Sequence, residues 1–212
     1  MAEATDRYRR AAQAIRAGTL RDFIKLWPAL DPRRLDETFP GWAFAVQTLV
    51  ERDRGTMAGL ASDYLRAVRF ESGVPGEAVI LLPERLPREQ IEASLSATAK
   101  AGLYTALRLG RSLDEASKVA LVRSSGAAAR LVANAGRETV RSSLAADPQG
   151  TGWRRVTSPS ACGFCRMLAG RGDVYSAETA DFASHDWCGC AAEPVYGGDL
   201  QAVRPYAPST RR

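Results

Sequence analysis

All four cysteines and the only histidine of this chain lie in one short segment near its carboxyl end. In a chain of 212 residues they occupy the span 162–190, in the pattern Cys-x2-Cys, nineteen further residues, then His-x2-Cys-x-Cys. The five side chains are Cys162, Cys165, His185, Cys188 and Cys190. Two thiolates three residues apart turn inward on one tight knuckle, and ligands from a second segment complete a tetrahedron around zinc. The pattern predicts a structural zinc site.

Zinc takes four ligands in a closed structural site, and this segment offers five. The first pair of cysteines is the firmest choice because its spacing fits the knuckle. For the other two positions we favour His185 and Cys190, and Cys188 is the close substitute. Asp186 is adjacent to the histidine, and on adjacency alone it is a candidate hydrogen-bond acceptor for the imidazole.

The even number of cysteines leaves two disulfide bonds as an alternative, and free thiols as another. The chain starts with the polar sequence Met-Ala-Glu-Ala-Thr-Asp, so we expect no signal peptide, and no apolar run reaches the length of a membrane span. We therefore expect no membrane association and synthesis in a reducing compartment. Cysteine clusters in such compartments more often bind metal than form disulfides.

The composition is that of an ordinary globular chain with a mild positive charge. Hydrophobic residues make up 45% of it, which is enough for a substantial core, and the formal net charge is +5. Basic and acidic residues are interspersed, as in Arg33-Arg34-Leu35-Asp36-Glu37. Mixed charge of this kind is typical of solvated helix faces rather than of a nucleic-acid groove.

Residues 1–147 predict a helical body, because apolar residues recur at three- and four-residue steps. The predicted helices run from about Thr5 to Leu30, Trp42 to Arg69, Pro87 to Gly110 and Leu113 to Leu144. Gly18 predicts a break in the first of them, and Pro40 with Gly41 predicts a break before the second. The stretch 71–86 is rich in glycine and proline, and it predicts a connector with one short strand and a possible break in the body.

The last of these helices has the clearest start signal. Ser112 and Glu115 stand three residues apart ahead of an apolar run and predict a capping box. The helix is rich in alanine and is expected to bury Val119, Val122, Leu131, Val132 and Val140. Alanine faces permit close antiparallel packing, so the predicted fold class is mainly α, with a long-helix bundle.

A small zinc-stabilised module is predicted to follow the bundle. The segment 147–152 predicts a linker, the span 148–196 predicts the module, and 197–212 predicts a flexible tail. About 45 residues are too few to be held together by burial alone, whereas a structural zinc contributes on the order of 10 kcal/mol. Trp153 and Trp187 flank the metal motif and are expected to form its miniature core.

One known family shares this carboxyl-terminal pattern. Its elements are Trp153-Arg-Arg-Val, then Cys162-Gly-Phe-Cys-Arg-Met-Leu-Ala-Gly-Arg-Gly, Val174-Tyr, His185-Asp-Trp-Cys-Gly-Cys and Glu193-Pro. The segment 152–196 resembles the zinc-type module of the Mu F-like minor head proteins of tailed bacteriophages, in the form found in phages of actinobacteria. The helical region before it is consistent with that family without being diagnostic of it.

The resemblance implies a structural role in the virion. Such proteins join the phage head during assembly in the host bacterial cytoplasm, near the portal vertex. The implied partners are the portal protein, the major capsid protein or both, and self-association is a further expectation. Some relatives are labelled capsid maturation proteases. The metal role of the family transfers to Cys162, Cys165, His185, Cys188 and Cys190 as candidates, with zinc as the cofactor.

We predict that the chain is not an enzyme. His185 is the only histidine, and it cannot be both a zinc ligand and the general base of a protease. A zinc-bound cysteine is likewise unavailable as a nucleophile. Serine–lysine catalysis would need one of Lys25, Lys100 and Lys118, and no pattern pairs any of them with a serine. Protease activity therefore stays a minor alternative.

A zinc-dependent DNA-binding protein is the alternative from another functional class. Four arginines surround the first knuckle and could meet phosphates, namely Arg154, Arg155, Arg166 and Arg171. Four acidic residues nearby in sequence nearly cancel their charge, namely Asp173, Glu178, Asp181 and Asp186. The charge balance favours a structural protein of the virion over a DNA-binding one.

Overall fold

The computed structural model describes residues 3–158, 161–172, 175–176, 182 and 184–197, and the prediction of a flexible tail falls almost wholly outside this part. The fold is mainly α, as predicted. Its helices are α1 (Glu3–Leu26), α2 (Leu35–Glu71), α3 (Arg88–Leu95), α4 (Ala101–Arg108), α5 (Leu113–Ala146) and α6 (Gly163–Ala169). A short 3-10 turn, Trp27–Ala29, follows α1, and a π-helical segment, Ser96–Lys100, joins α3 to α4.

Three long helices build the bundle. α2 has 37 residues and α5 has 34, and both pack against α1 and against each other, while α4 lies along α5. Phe23 and Trp42 meet edge to face with ring centroids 5.7 Å apart, and both are fully buried with Val132 in one apolar cluster. The capping box of Ser112 and Glu115 begins α5, as predicted.

Two predicted helix breaks do not occur. Gly18 lies inside α1, and Pro40 lies inside α2, which begins five residues before it. A proline at this position removes one helical hydrogen bond. The helix continues because Phe39 and Trp42, on either side of the proline, are both buried in the core. Burial of these large side chains outweighs the local preference for a break.

The connector between α2 and α3 forms no strand, contrary to the prediction. Its carbonyl groups are bound by two buried arginines of α2. Arg54 donates to the carbonyl of Glu84 at 3.1 Å, and Arg69 donates to those of Pro75 and Gly76 at 2.7 and 3.2 Å. The connector is therefore fixed to the long helix through its backbone, without regular secondary structure.

A small antiparallel sheet follows α5. Its strands are β1 (Gly150–Val156), β2 (Tyr175–Ser176) and β3 (Ala191–Tyr196), in the order β2-β1-β3. Trp153 on β1 is fully buried and stacks on Tyr175 and Phe182. It belongs to the same apolar cluster as Tyr8 of α1 and Tyr64 of α2. The sheet and the helices thus share one core.

The segment that predicted a linker contains a buried ion pair. Asp147, directly after α5, is paired with Arg69 of α2, and both side chains are less than a tenth exposed. The Gly150 backbone approaches the Leu144 carbonyl so closely that an added Cβ would lie 2.5 Å from that oxygen. The chain therefore turns tightly from α5 into β1.

Candidate metal centre

The first knuckle is the start of a short helix. Cys162 caps α6, where its sulfur accepts a hydrogen bond from the backbone N–H of Cys165 at 3.4 Å. This turn places both thiols on the same side of the chain. Cys165 is buried, and Cys162 is exposed at the edge of the centre. Both cysteines are free thiols in the structure.

The second group comes from a turn that ends in β3. The N–H of Cys188 donates to the carbonyl of His185 at 3.1 Å, which closes the turn. Trp187 within it has φ of 66°, a left-handed conformation that bulky residues rarely adopt. Cys188 and Cys190 follow and are both buried, on either side of the exposed Gly189.

The two segments bring all five predicted side chains together. The Nε2 atom of His185 lies 3.2 Å from the sulfur of Cys162 and 3.3 Å from that of Cys165. The sulfurs of Cys165 and Cys188 are 3.8 Å apart. Two groups of ligand atoms lie within 4.8 Å of one another, Cys162 with Cys165 and His185, and Cys165 with Cys188 and Cys190. Cys165 belongs to both groups.

These separations fit a tetrahedral metal ion. Zinc–sulfur bonds of about 2.3 Å at tetrahedral angles place two sulfurs about 3.8 Å apart, and a shorter zinc–nitrogen bond brings the imidazole slightly closer. Such an ion could take three ligands from Cys162, Cys165 and His185 and a fourth from the sulfur of Cys188 or Cys190. The cluster is positioned to hold a metal ion.

The ring of His185 is oriented for coordination through Nε2. Its Nδ1 atom lies 2.5 Å from the backbone carbonyl oxygen of Asp186, and this hydrogen bond raises the pKa of the imidazole. Ligating histidines commonly donate their second ring N–H to such an acceptor. Asp186 is the residue predicted as the acceptor, and it accepts through its backbone carbonyl, because its carboxylate instead accepts from Arg130 on α5 at 2.7 Å.

The thiols have unequal acidities. The N–H of Cys165 is the largest influence on Cys162 and lowers its pKa to about 7. A hydrogen bond from Cys190 lowers the pKa of Cys188, with a further contribution from the Arg137 charge. The same hydrogen bond raises the pKa of Cys190. Metal binding requires thiolates. The lowered pKa values of Cys162 and Cys188 favour their thiolate forms at neutral pH, before any metal binds.

Arg137 of α5 binds the backbone of the second pair of cysteines, a role that the sequence pattern of the metal motif does not predict. The side chain is buried, and its Nη2 atom donates to the carbonyls of Cys188 and Cys190 at 2.8 and 3.0 Å. Its Nη1 atom donates to Asn134 at 2.7 Å. An arginine in the middle of an alanine-rich buried face was the available signal, since such a charge needs partners.

The two tryptophans next to the motif differ in their environments. Trp153 is part of the shared core described above. Trp187 is 46% exposed, so the prediction that it belongs to a miniature core is wrong. The prediction that Val122 on α5 is buried is also wrong, because this side chain is 56% exposed.

Three of the four arginines near the knuckle have partners within the protein. Arg154 is paired with the buried Glu193 across β1 and β3, and the guanidinium of Arg155 lies 3.8 Å from the ring centroid of Phe182. Arg166 is exposed and donates to the carbonyl of Ala161 at 2.6 Å. Three of the acidic residues invoked against DNA binding, Asp173, Glu178 and Asp181, lie outside the described residues.

Comparisons with known proteins give one match. A protein-family model with the description VG15 protein matches residues 1–211. No curated protein and no solved structure matches the chain. In the part of the chain that the structure describes, no helix has both the length and the apolar character needed to cross a bilayer.

Proposed function

The chain belongs to the VG15 protein family, a family of phage gene products, and from this premise we propose that it is a minor head protein of a tailed phage. The proposed role is structural, in head morphogenesis, at or near the portal and the capsid interior. The observation that carries the proposal is the assembly of the Mu F-like Cys/His pattern into one cluster, within a chain that matches a phage family over nearly its whole length.

The metal of this centre is proposed to be zinc in a structural site. The candidate ligands are cysteine sulfurs and one imidazole nitrogen, which suit zinc. More than three protein ligands are available, so no coordination position has to remain open for water, as a catalytic zinc requires. Cys165, Cys188 and Cys190 are buried, whereas Cys162 and His185 lie at the exposed edge of the centre.

The ligand set can be settled by substitution. Cys165 belongs to both groups of ligand atoms, so Cys165→Ser should abolish stoichiometric zinc. Cys188→Ser and Cys190→Ser should differ, because only one of these sulfurs completes a four-ligand site. Zinc content by mass spectrometry of the purified variants gives the answer. Retention of one equivalent of zinc by Cys165→Ser would exclude the proposed centre.

No enzymatic activity is proposed. In the proposed centre the Nε2 atom of His185 binds the metal and Nδ1 donates to the Asp186 carbonyl, which would leave neither ring nitrogen for proton transfer to a substrate. Lys25 and Lys100 are paired with Asp22 and Asp36 rather than with a serine. These arrangements support the structural role over the protease alternative.

The fold is suited to a docking role. The cluster is bound to α5 through Arg137, and Trp153 on β1 shares a core with α1 and α2. The metal-binding segments are fixed in this way to the helical bundle and present a preformed surface. A preformed surface lowers the entropic cost of association with a portal or capsid subunit. Self-association through the long helices is a further part of the proposal.

The experiment that tests the role is co-sedimentation of the zinc-loaded chain with the purified portal and, separately, with the major capsid protein. We expect binding to at least one of them, and loss of that binding in Cys165→Ser. Thr56→Ser, an exposed position on α2, is the matched control and should bind normally. Absence of binding to both proteins, with zinc retained, would reject the docking role while leaving the structural zinc intact.

A further inference from the structure

A cleft of about 510 Å³ lies beside the cysteine cluster. One wall is formed by α1 and the other by the two metal-binding segments, with Arg137 and Ala133 of α5 also lining the space. Pockets for small ligands commonly have volumes of 300–1,000 Å³. The cleft is open space next to the five candidate ligands, and metal binding by the cluster does not fill it.

A polar stripe of α1 forms the first wall. The residues that line the cleft from this stripe are Asp6, Arg9, Arg10, Gln13 and Arg16. Their spacing of three and four residues places them on one face of the helix. The neighbouring residues Tyr8 and Ala12 pack into the core and fix the orientation of this face. The arginines are therefore held at the cleft by the packing of the helix.

The cleft carries excess positive charge. Arg9 is paired with Asp6 at 3.4 Å. Within the described part of the chain, Arg10 and Arg16 form no ion pair, and the buried Nε atom of Arg16 has no hydrogen-bond partner. Burying part of a guanidinium without a partner is unfavourable. An anion in the cleft would lie against this guanidinium and offset part of the cost of burying its charge.

The metal centre alone does not balance this charge. Zinc with three thiolates and one neutral imidazole carries a single negative charge. Arg137 already lies against that centre, where it donates to the carbonyls of Cys188 and Cys190. Arg10 is exposed on the outer side of the stripe. Arg16 lies near Cys188 and Cys190, and the net charge that the cleft keeps beyond this centre is positive, which favours an anionic ligand.

An aromatic surface lies in the same cleft. The half-exposed indole of Trp187 lines it, and the ring rests against Gly126 of α5. A side chain at position 126 would place Cβ 2.6 Å from the indole Nε1 atom, so glycine permits this position. Arginines beside an exposed aromatic ring are typical of sites that bind nucleotides, in which the arginines contact the phosphate and the ring stacks on the base. A peptide carboxylate would use the arginines but not the ring.

We propose that this cleft binds a phosphate group carried by a nucleotide or by a nucleic-acid backbone, with Arg10 and Arg16 contacting the phosphate and Trp187 contacting the base. Arginine is suited to this task because its planar guanidinium donates two parallel hydrogen bonds to phosphate oxygens. The site is separate from the proposed docking role and does not depend on it.

The test uses the full zinc-loaded chain and titrates it with inorganic phosphate, with adenosine monophosphate and with a short single-stranded oligonucleotide. Calorimetry measures affinity, and the fluorescence change that is lost in Trp187→Phe reports contact with Trp187, since the chain has four tryptophans. We expect saturable binding that falls about tenfold or more in Arg16→Gln and in Arg10→Gln, as the loss of a charge-assisted hydrogen bond implies. Arg21→Gln, at an exposed position of α1 that does not line the cleft, is the matched control and should bind normally.

Each outcome bears on the proposal. Binding of adenosine monophosphate identifies a nucleotide site, whereas binding of the oligonucleotide alone, weakening steeply with salt, identifies the backbone as the source of the phosphate. Zinc content is measured for every variant, and Arg10→Gln is the second variant because Arg10 is exposed. Absence of binding by all three probes overturns the proposal. Equal loss in Arg21→Gln, or binding of an acidic peptide instead, also overturns it.

Discussion

The hydroxyl of Tyr64 on α2 lies 3.4 Å from the carbonyl oxygen of Ala192 on β3, 128 residues further along the chain. The same hydroxyl is 2.9 Å from that of Thr5 on α1, and the ring of Tyr64 stacks on Tyr8 with centroids 4.3 Å apart. Two helices and the last described strand therefore meet at one buried side chain. The strand that follows the metal ligands is part of the main core.

Because of this shared core, removal of zinc should weaken the whole fold. We expect a chelator to lower the midpoint of a single cooperative thermal transition, since Trp153 and Ala192 link the sheet to the helices. Circular dichroism follows the helices, and pulsed hydrogen exchange of the β1 and β3 amides along the same temperature ramp follows the sheet, because tryptophan fluorescence would also report Trp27 and Trp42 of the helical part. If the transitions of the helices and of the sheet coincide both before and after chelation, the two parts unfold as one cooperative unit. A helical transition that is unchanged by chelation would contradict it.

Arg137 should contribute to stability by binding the segment that carries Cys188 and Cys190. In Arg137→Met the carbonyls of Cys188 and Cys190 lose a buried donor, and we expect a loss of about 2–4 kcal/mol in the free energy of unfolding. Chemical denaturation of the zinc-loaded protein measures this. Arg123→Met, on the exposed face of the same helix, is the control and should stay within about 0.5 kcal/mol. Similar values for the two variants would show that the contacts of Arg137 do not stabilise the fold.

The sequence predicted those features whose causes are local. The capping box of Ser112 and Glu115 depends on residues three positions apart, and the structure contains it. The helical class depends on periodicity within each segment, and it was also correct. The proximity of Cys162 to Cys165 follows from one turn of chain, and the nearness of the later segment was expected because ligands to one metal must converge.

Features that depend on distant contacts could not be predicted. Pro40 remains inside α2 because the side chains around it are buried by other helices. The two carbonyl groups that Arg137 binds in the metal-binding turn lie 51 and 53 residues away, and no local pattern indicates them. The outward position of Trp187 depends on Gly126, a residue of α5 with no local relation to the metal motif. Tertiary packing decided each of these cases.

The buried ion pair between Arg69 and Asp147 should contribute strongly to stability. Asp147→Asn leaves the buried guanidinium without its counter-charge, and we expect a loss of about 3 kcal/mol. Asp63→Asn is the matched control, because its pair with Arg66 on the same helix is largely exposed and should cost less than about 0.5 kcal/mol. Urea unfolding compares the two. Equal losses of unfolding free energy in the two variants would mean that the buried ion pair contributes no more to stability than the exposed one.

The contact between Gly126 and Trp187 gives a steric prediction. In Gly126→Ala the new Cβ would lie 2.6 Å from the indole Nε1 atom, so the ring must move, at a cost of about 1–3 kcal/mol. Gly55→Ala, in α2, meets no atom within 4 Å and should stabilise the helix by up to about 1 kcal/mol. Fluorescence and thermal melting measure both effects. An unchanged tryptophan spectrum in Gly126→Ala would show that the indole does not rest on this glycine.

Cys162 should be the most reactive thiol of the metal-free protein. It is exposed, and the N–H of Cys165 lowers its pKa to about 7, whereas an ordinary cysteine titrates near 8.5. Because the folded pKa is the lower one, the stabilisation of the thiolate is complete above the ordinary value and is lost as the pH falls through 7. We expect alkylation of Cys162 by iodoacetamide to rise with a midpoint near pH 7, ahead of the buried Cys165. Peptide mapping after timed labelling measures this, with urea-unfolded protein as the control, in which the midpoint should return toward 8.5. The same midpoint in both states would show that the knuckle does not perturb the thiol.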